Sequence, residues 1–306
     1  MNDAQRTRHI PVLVEEVMEL LRCEPGKTYV DGTLGGGGHA LEILRRTAPD
    51  GVVIGLDWDE ESVSEAGKAF MPFGERVRIF RENFIHLPEL LREMQVEEVD
   101  GILLDLGLSS LQLGKEERGF SFQGEGRLDM RMDQRLDQTA AYLVNRLSAD
   151  ELEDILLKYG EERWARRIAK VLVRERERGS IETTQRLRAI IHHAVPGRYH
   201  PRKIDPATRT FQALRIKVND ELENLRKILE TGWELLRKGG KMCIISFHSL
   251  EDRMVKESFR KLERVGADGQ GPVMRVLTKK PITPSEEEKR NNPRSRSAKL
   301  RCAERV

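Results

Sequence analysis

Five short apolar runs constrain this chain's fold more than any other feature. TYVDGT from Thr28, VVIGLDWD from Val52, VRIFREN from Val77 and DGILLDLG from Asp100 alternate with helical periods and carry Gly or Asp at their ends. MCIISF from Met242 repeats the pattern late in the chain. Strands buried on both faces read as continuous apolar runs, and strands alternating with helices imply a parallel sheet covered by helices. Asp220 to Lys238 reads as the helix before the fifth run, stopped by Gly239-Gly240, and Leu250 to about Leu262 as the helix after it. The expected class is α/β.

Between the fourth and fifth runs the pattern changes. From about Leu113 to Ala213 no strand is legible and helical periods take over. Ser148 and Glu151 have the spacing of a capping box, followed by Leu152, Ile155, Leu156 and Tyr159 before Gly160. Trp164, Ile168, Val171 and Leu172 form a second stripe ending near Gly179. The simplest organisation is a discontinuous α/β domain over 1–112 and 214–306 interrupted by an all-helical subdomain over 113–213. The tail reads as two short strands, around MRVLT and AKLRCA, bracketing a polar loop, SEEEKRNNPRSRS, expected to be mobile.

With 38% hydrophobic and 34% charged residues the chain is too apolar for a disordered polymer and too polar for a membrane protein. No apolar stretch approaches the roughly 18 residues of a spanning helix, and MNDAQRTRH lacks a secretory apolar centre, so a cytoplasmic protein is expected. Cys23, Cys243 and Cys302 show no CxxC spacing and read as reduced core thiols.

The net charge of +2 hides an asymmetry. Residues 163–217 hold 15 Lys/Arg against 4 Asp/Glu, residues 279–306 hold 9 against 4, and the remainder is acidic. Two basic blocks on a near-neutral chain suit contact with a polyanion, since basic patches supply most non-specific nucleic-acid affinity. The blocks and the acidic remainder could also pair between subunits as a homodimer. His192, His193 and His200 hint at a metal, but no nearby carboxylate or Cys is evident to complete a ligand set, and none is expected.

The sharpest local feature is Val30-Asp31-Gly32-Thr33-Leu34-Gly35-Gly36-Gly37-Gly38-His39, where a strand gives way to a helix. Gly35 to Ala40 satisfies the G-x-G-x-x-G/A dinucleotide pattern, and Asp57 stands 20 residues after Gly37, where an acid could hold ribose hydroxyls. An NAD(P)-dependent oxidoreductase is therefore open on the residues alone, as is a non-catalytic RNA-binding assembly factor. Asp31 precedes the glycines in a D-x-x-x-G-x-G arrangement that resembles the first motif of S-adenosylmethionine-dependent methyltransferases. Asp105 ends the fourth run, at the strand edge where open α/β sheets bind ligands. Gly107 to Leu111 fails the G-x-S-x-G elbow, which disfavours a serine hydrolase.

The segments HIPVLVEEV, YVDGTLGGGGH, DGILLDLGLSSLQL, ERGFSF, LDMRMD, KYGEERWARRIA, HPRKIDPATRTFQALRI, ISFHSLEDR and NPRSRSAKLRCAER together resemble the bacterial ribosomal RNA small-subunit methyltransferase H family, from about His9 to Arg305. The resemblance implies a class I (Rossmann-like) methyltransferase domain with a helical insertion that recognises RNA. It also implies methyl transfer from S-adenosylmethionine to N4 of a cytidine in the decoding region of 16S ribosomal RNA. By position it implies cofactor contacts at Gly37, Gly38, His39, Asp57, Phe84, Asp105 and Gln112, and the small ribosomal subunit as partner.

Amino methyltransferases commonly use a D/N/S-P-P-aromatic motif, for which this chain has Asp105-Leu106-Gly107-Leu108. Asp105 is then the expected acceptor for the amine's hydrogens, or else a group that orients the cofactor. Phe247 and His248 are candidates for the base pocket. Arg166, Arg167, Lys170, Arg202, Lys203, Arg209 and Arg215 are candidate phosphate contacts.

Overall fold

A computed structural model describes residues 11–200, 204–264 and 271–306. The chain divides into two compact units, Met1–Ser110 with Leu222–Val306, and Leu111–Glu221. Helix Thr208–Asn219 thus belongs wholly to the second unit.

The first unit is built on strands β1 (Thr28–Asp31), β2 (Val52–Leu56), β3 (Val77–Phe80), β4 (Val99–Asp105), β5 (Leu236–Ser246), β6 (Met274–Val276) and β7 (Lys299–Arg305). Their order is β3-β2-β1-β4-β5-β7-β6; β1 to β5 run parallel, while β7 is antiparallel to both β5 and β6. All five apolar runs and both tail runs are strands. Alternate residues explain why the runs look continuous: Val30, Ile54, Ile102 and Leu104 enter one apolar core, while Tyr29, Val53 and Leu103 enter another. Strand order reverses at β1, which neighbours β2 and β4, so the crevice at their carboxyl ends is the ligand position of an open α/β sheet.

Two local expectations are corrected. The helix before β5 ends at Thr231, and Gly232–Leu235 forms a tight 3-10 turn. Leu236 is fully buried opposite Val99, so the strand begins there and Arg237-Lys238-Gly239-Gly240 lies inside it. The tail segment expected to be a mobile loop contains helix Glu286–Asn291 and the 3-10 turn Pro293–Ser297. Ser285 Oγ accepts from Glu288 N–H at 3.1 Å, and Glu288 Oε1 accepts from Leu13 N–H at 2.9 Å, which anchors the segment.

The second unit packs helices Ala140–Arg146, Ala149–Gly160, Ala165–Arg176, Thr184–Ala194 and Thr208–Asn219. The Ser148/Glu151 capping box is present, with Leu152, Ile155 and Leu156 buried behind it. Among the described residues, no helix is long and apolar enough to cross a membrane.

Candidate active site

The glycine segment is a turn held from three sides. Gly32 N–H donates to Leu103 O at 2.9 Å, Leu34 N–H to Leu56 O at 2.8 Å and Gly37 N–H to Leu34 O at 2.7 Å. Gly35 and Gly37 adopt φ of 51° and 76°, the left-handed region that glycine enters without steric cost. A Cβ at Gly37 would stand 2.6 Å from the Phe70 ring, and one at Gly38 2.8 Å from Pro11. The turn therefore presents bare backbone immediately before helix Gly38–Arg46.

Three carboxyl groups converge here because β1, β2 and β4 are adjacent and end at one edge. Asp57 follows β2 and is 9% exposed. Its Oδ2 accepts from Gly35 N–H at 2.8 Å and its Oδ1 from Asp59 N–H at 2.9 Å. Asp57 thus braces the glycine turn, a task that residue spacing alone did not suggest. Asp31, at the end of β1, is 1% exposed and accepts from Thr33 N–H at 3.2 Å. Burial, aided by the neighbouring Asp57 charge, pushes its carboxyl up to about 7 against the opposing pull of backbone N–H groups.

Asp105 closes the group. Its backbone N–H donates to Thr33 Oγ1 at 2.6 Å, tying the end of β4 to the turn. Its Oδ2 lies 3.7 Å from His39 Nδ1, while its Oδ1 is buried with no hydrogen-bond partner. Burial first, then the charges of Asp31 and Glu251, raise this carboxyl well above the ordinary value. His39 is 4% exposed and its Nε2 donates to Val12 O at 2.9 Å, since a carbonyl can only accept. A buried acceptor without a donor is costly, and such atoms in a crevice mark where a ligand group completes the bonding.

Phe84 opens a 3-10 turn after β3, joins the core, and its Cβ would lie 3.2 Å from a side chain at Gly32. Gln112 is buried in helix Ser110–Gly114 and belongs to the helical unit.

At the end of β5, His248 caps helix Ser249–Arg264. Glu251 Oε2 accepts from Phe247 N–H at 2.8 Å and His248 N–H at 3.2 Å, while Glu251 N–H donates to His248 Nδ1 at 3.3 Å. This is a capping box built with an imidazole. Phe247 packs beside Gly107, where a Cβ would approach its ring to 3.1 Å. Glu251, 2% exposed, was not singled out from sequence, although His-x-x-Glu before a helix was the available signal.

The basic candidates divide. Arg166, Arg167 and Lys170 are exposed on helix Ala165–Arg176. Arg209 donates to Glu161 O at 2.8 Å, and Arg215 pairs with Glu221 at 2.8 Å. Arg202 and Lys203 lie outside the described residues. A carboxylate does stand beside the histidines: His192 Nε2 is 2.9 Å from Asp205 Oδ1. Asp205 is also held by Arg188 at 2.7 Å and Ala207 N–H at 2.8 Å, so it is already occupied as a clamp.

The sheet order and the turn-plus-carboxyl crevice are those of a Rossmann-like α/β fold, and the family match that follows makes this an S-adenosylmethionine-dependent methyltransferase. The residues present fit that cofactor, because the acidic crevice, with the orphaned Asp105 Oδ1, suits a cationic sulfonium. The chain belongs to the MraW methylase family, whose model matches residues 6–306. It is 48% identical, over 100% of both chains, to the ribosomal RNA small subunit methyltransferase H of Syntrophus aciditrophicus. It is 50% identical to the protein of that name from Geotalea uraniireducens, covering 97% of this chain and 98% of the relative. Among solved structures it is similar to a putative rRNA-methylase from Clostridium thermocellum, at 11% identity, 98% coverage of each chain and a TM-score of 0.46. Family membership removes the oxidoreductase alternative.

Proposed function

We propose that this protein methylates 16S ribosomal RNA at the exocyclic N4 of a cytidine in the decoding region. The full-length relatives are named for small-subunit ribosomal RNA methylation, and the finer target rests on the site's chemistry and the family resemblance.

The observation that carries the atom is the orphaned Asp105 Oδ1 at the carboxyl end of β4. S-adenosylmethionine, when bound, supplies an electrophilic methyl group on a sulfonium, so the protein's task is alignment and exclusion of water. The turn from Gly35 to Gly38, with His39 behind it, forms the cofactor's backbone cradle, and Asp57 keeps that cradle in shape while retaining lone pairs for ribose hydroxyls. Phe84 is the expected contact beside the adenine.

A cytosine amine shares its lone pair with the ring and needs an acceptor for its hydrogens as the new bond forms. Asp105 is that acceptor. Its raised carboxyl value makes its ionised form a stronger base than an ordinary aspartate, suited to taking the proton that the methylated amine must lose. The helical unit, with its basic block, is the RNA-recognition part.

The test is to incubate the purified protein with S-adenosylmethionine and small ribosomal subunits lacking the modification, then map new methyl groups by nucleoside mass spectrometry. A single N4-methylcytidine in the decoding region is expected. Methylation at a ring carbon, at N3 or at another base would overturn the assignment.

A further inference from the structure

The helical unit carries a surface that methyl transfer does not itself require. Helix Ala165–Arg176 buries Ala165, Ile168, Ala169 and Leu172. Arg166, Arg167 and Lys170 point outward at helical spacing, and no carboxylate lies within ion-pair distance of them among the described residues. At the helix's N-terminal end, the Trp164 and Tyr199 rings are 5.1 Å apart and tilted by 45°. The Arg163 guanidinium sits 5.2 Å from the Trp164 ring and 5.3 Å from that of Tyr199, and the Arg198 guanidinium lies 4.8 Å from Tyr199. Tyr199 is nevertheless 41% exposed, and both arginines are exposed.

Behind the rings, Glu162 Oε1 accepts from the Trp164 backbone N–H at 2.8 Å, and the Tyr199 backbone N–H donates to Pro196 O at 2.8 Å. An exposed aromatic interleaved with two guanidinium planes and continued by a row of cations has one well-matched partner. Unpaired nucleobases stack on aromatic and guanidinium faces while their phosphates meet Lys and Arg. An acidic peptide would satisfy the cations but leave the ring planes unused, and a duplex would offer phosphates with no free base face.

We infer that Tyr199, Arg163 and Arg198 form a stacking platform for an unpaired RNA base, whose flanking phosphates run along Arg166, Arg167 and Lys170. The inference rests on the proposed RNA substrate and specifies that the helical unit grips a single-stranded segment.

The probe is a short fluorescein-labelled oligoadenylate, with a hairpin of the same length as comparison, titrated with the full chain and read by anisotropy. The wild type should prefer the single strand. Tyr199→Ala should weaken that binding about ten-fold, and Tyr199→Phe, which keeps the ring, should stay within about two-fold of wild type. Arg163→Gln with Arg198→Gln should weaken it comparably, providing a test that does not depend on the tyrosine variant folding. Arg167→Ala with Lys170→Ala should flatten the plot of log affinity against log salt by about 1.4. Unchanged single-strand binding in Tyr199→Ala and the double arginine variant overturns the platform, as does equal loss in Tyr199→Phe and Tyr199→Ala. Failure of methyl transfer to N4 with Tyr199-dependent oligonucleotide binding intact would refute the proposed reaction and leave the platform standing.

Discussion

The carboxylate of Asp57 holds the N–H of Gly35 at 2.8 Å, so the acid after β2 braces the glycine turn after β1. Its second oxygen is committed to Asp59 N–H, at the start of helix Glu60–Phe70. Asp57→Ala removes both acceptors and leaves two backbone donors to find other partners, a loss of about 1–3 kcal/mol. Asp57→Asn keeps one carbonyl oxygen and should fall between. Calorimetric titration with S-adenosylmethionine should show affinity dropping at least about ten-fold in the alanine variant and less in the asparagine variant. Wild-type affinity in Asp57→Ala would mean that the turn keeps its shape without the brace.

Cys243 and Cys302 face each other in register on β5 and β7, both buried and both free. Burial raises the Cys243 thiol well above its usual value and pushes Cys23 up to about 12. The thiolate is the reactive form, so neither should react quickly near pH 8. The folded protein should show no fast-reacting thiol with a colorimetric disulfide reagent, and unfolding in guanidinium should release three. One equivalent reacting within seconds in the native protein would contradict the burial assigned to these sites.

What could be read from the chain tracks the range of the forces involved. The strand runs were legible because residues such as Val30 and Tyr29 enter cores on opposite faces, leaving no polar position in between. The Ser148/Glu151 box was legible because its partners sit three residues apart. The same local signal at Ser285 and Glu288 sits among charge and proline that read as loop, although the segment folds as a capped helix. Asp105 stood out as a strand end, but its neighbours did not. That Asp31 and Glu251 raise its carboxyl, and that Thr33 holds its N–H, follows from β1, β4 and β5 being adjacent, which sequence order does not state. Asp205 beside His192 was missed for a related reason: the chain between them folds back, bringing together residues that spacing kept apart.

Asn219 ties the irregular chain around Met130 to helix Thr208–Asn219. Its Oδ1 accepts from Met132 N–H at 2.7 Å, and its Nδ2 donates to Met130 O at 2.8 Å and Arg215 O at 2.9 Å. The side chain is 2% exposed, so no solvent replaces these bonds. Asn219→Ala should cost about 2 kcal/mol in urea unfolding of the full chain. Asn219→Asp should cost more, because it sets an oxygen against two carbonyls and adds a buried charge. Equal stability of the aspartate variant and wild type would show that the segment rearranges around the position.

The raised carboxyls of the site set the protein's pH response. Asp31 titrates near 7 in the folded protein and Asp105 well above its usual value, whereas both release their protons near 3.8 when unfolded. The folded state therefore holds protons that the unfolded chain has already lost, and stability falls as pH rises above about 4. Each group contributes at most about 1.4 kcal/mol per pH unit, Asp31 until it ionises near 7 and Asp105 until it reaches its own raised midpoint. Asp105→Asn mimics the protonated acid, so it should melt close to the wild-type temperature below about pH 4 and above it near pH 8. A lower melting point at pH 8 would show that the ionised carboxylate is already stabilised by the fold. A cationic ligand favours the ionised acids, so S-adenosylmethionine should bind more tightly between pH 6 and 8 with net proton release, seen as heats that vary with buffer ionisation enthalpy. Asp105→Asn should release fewer protons, and no release in the wild type would mean that these carboxyls stay neutral beneath the sulfonium.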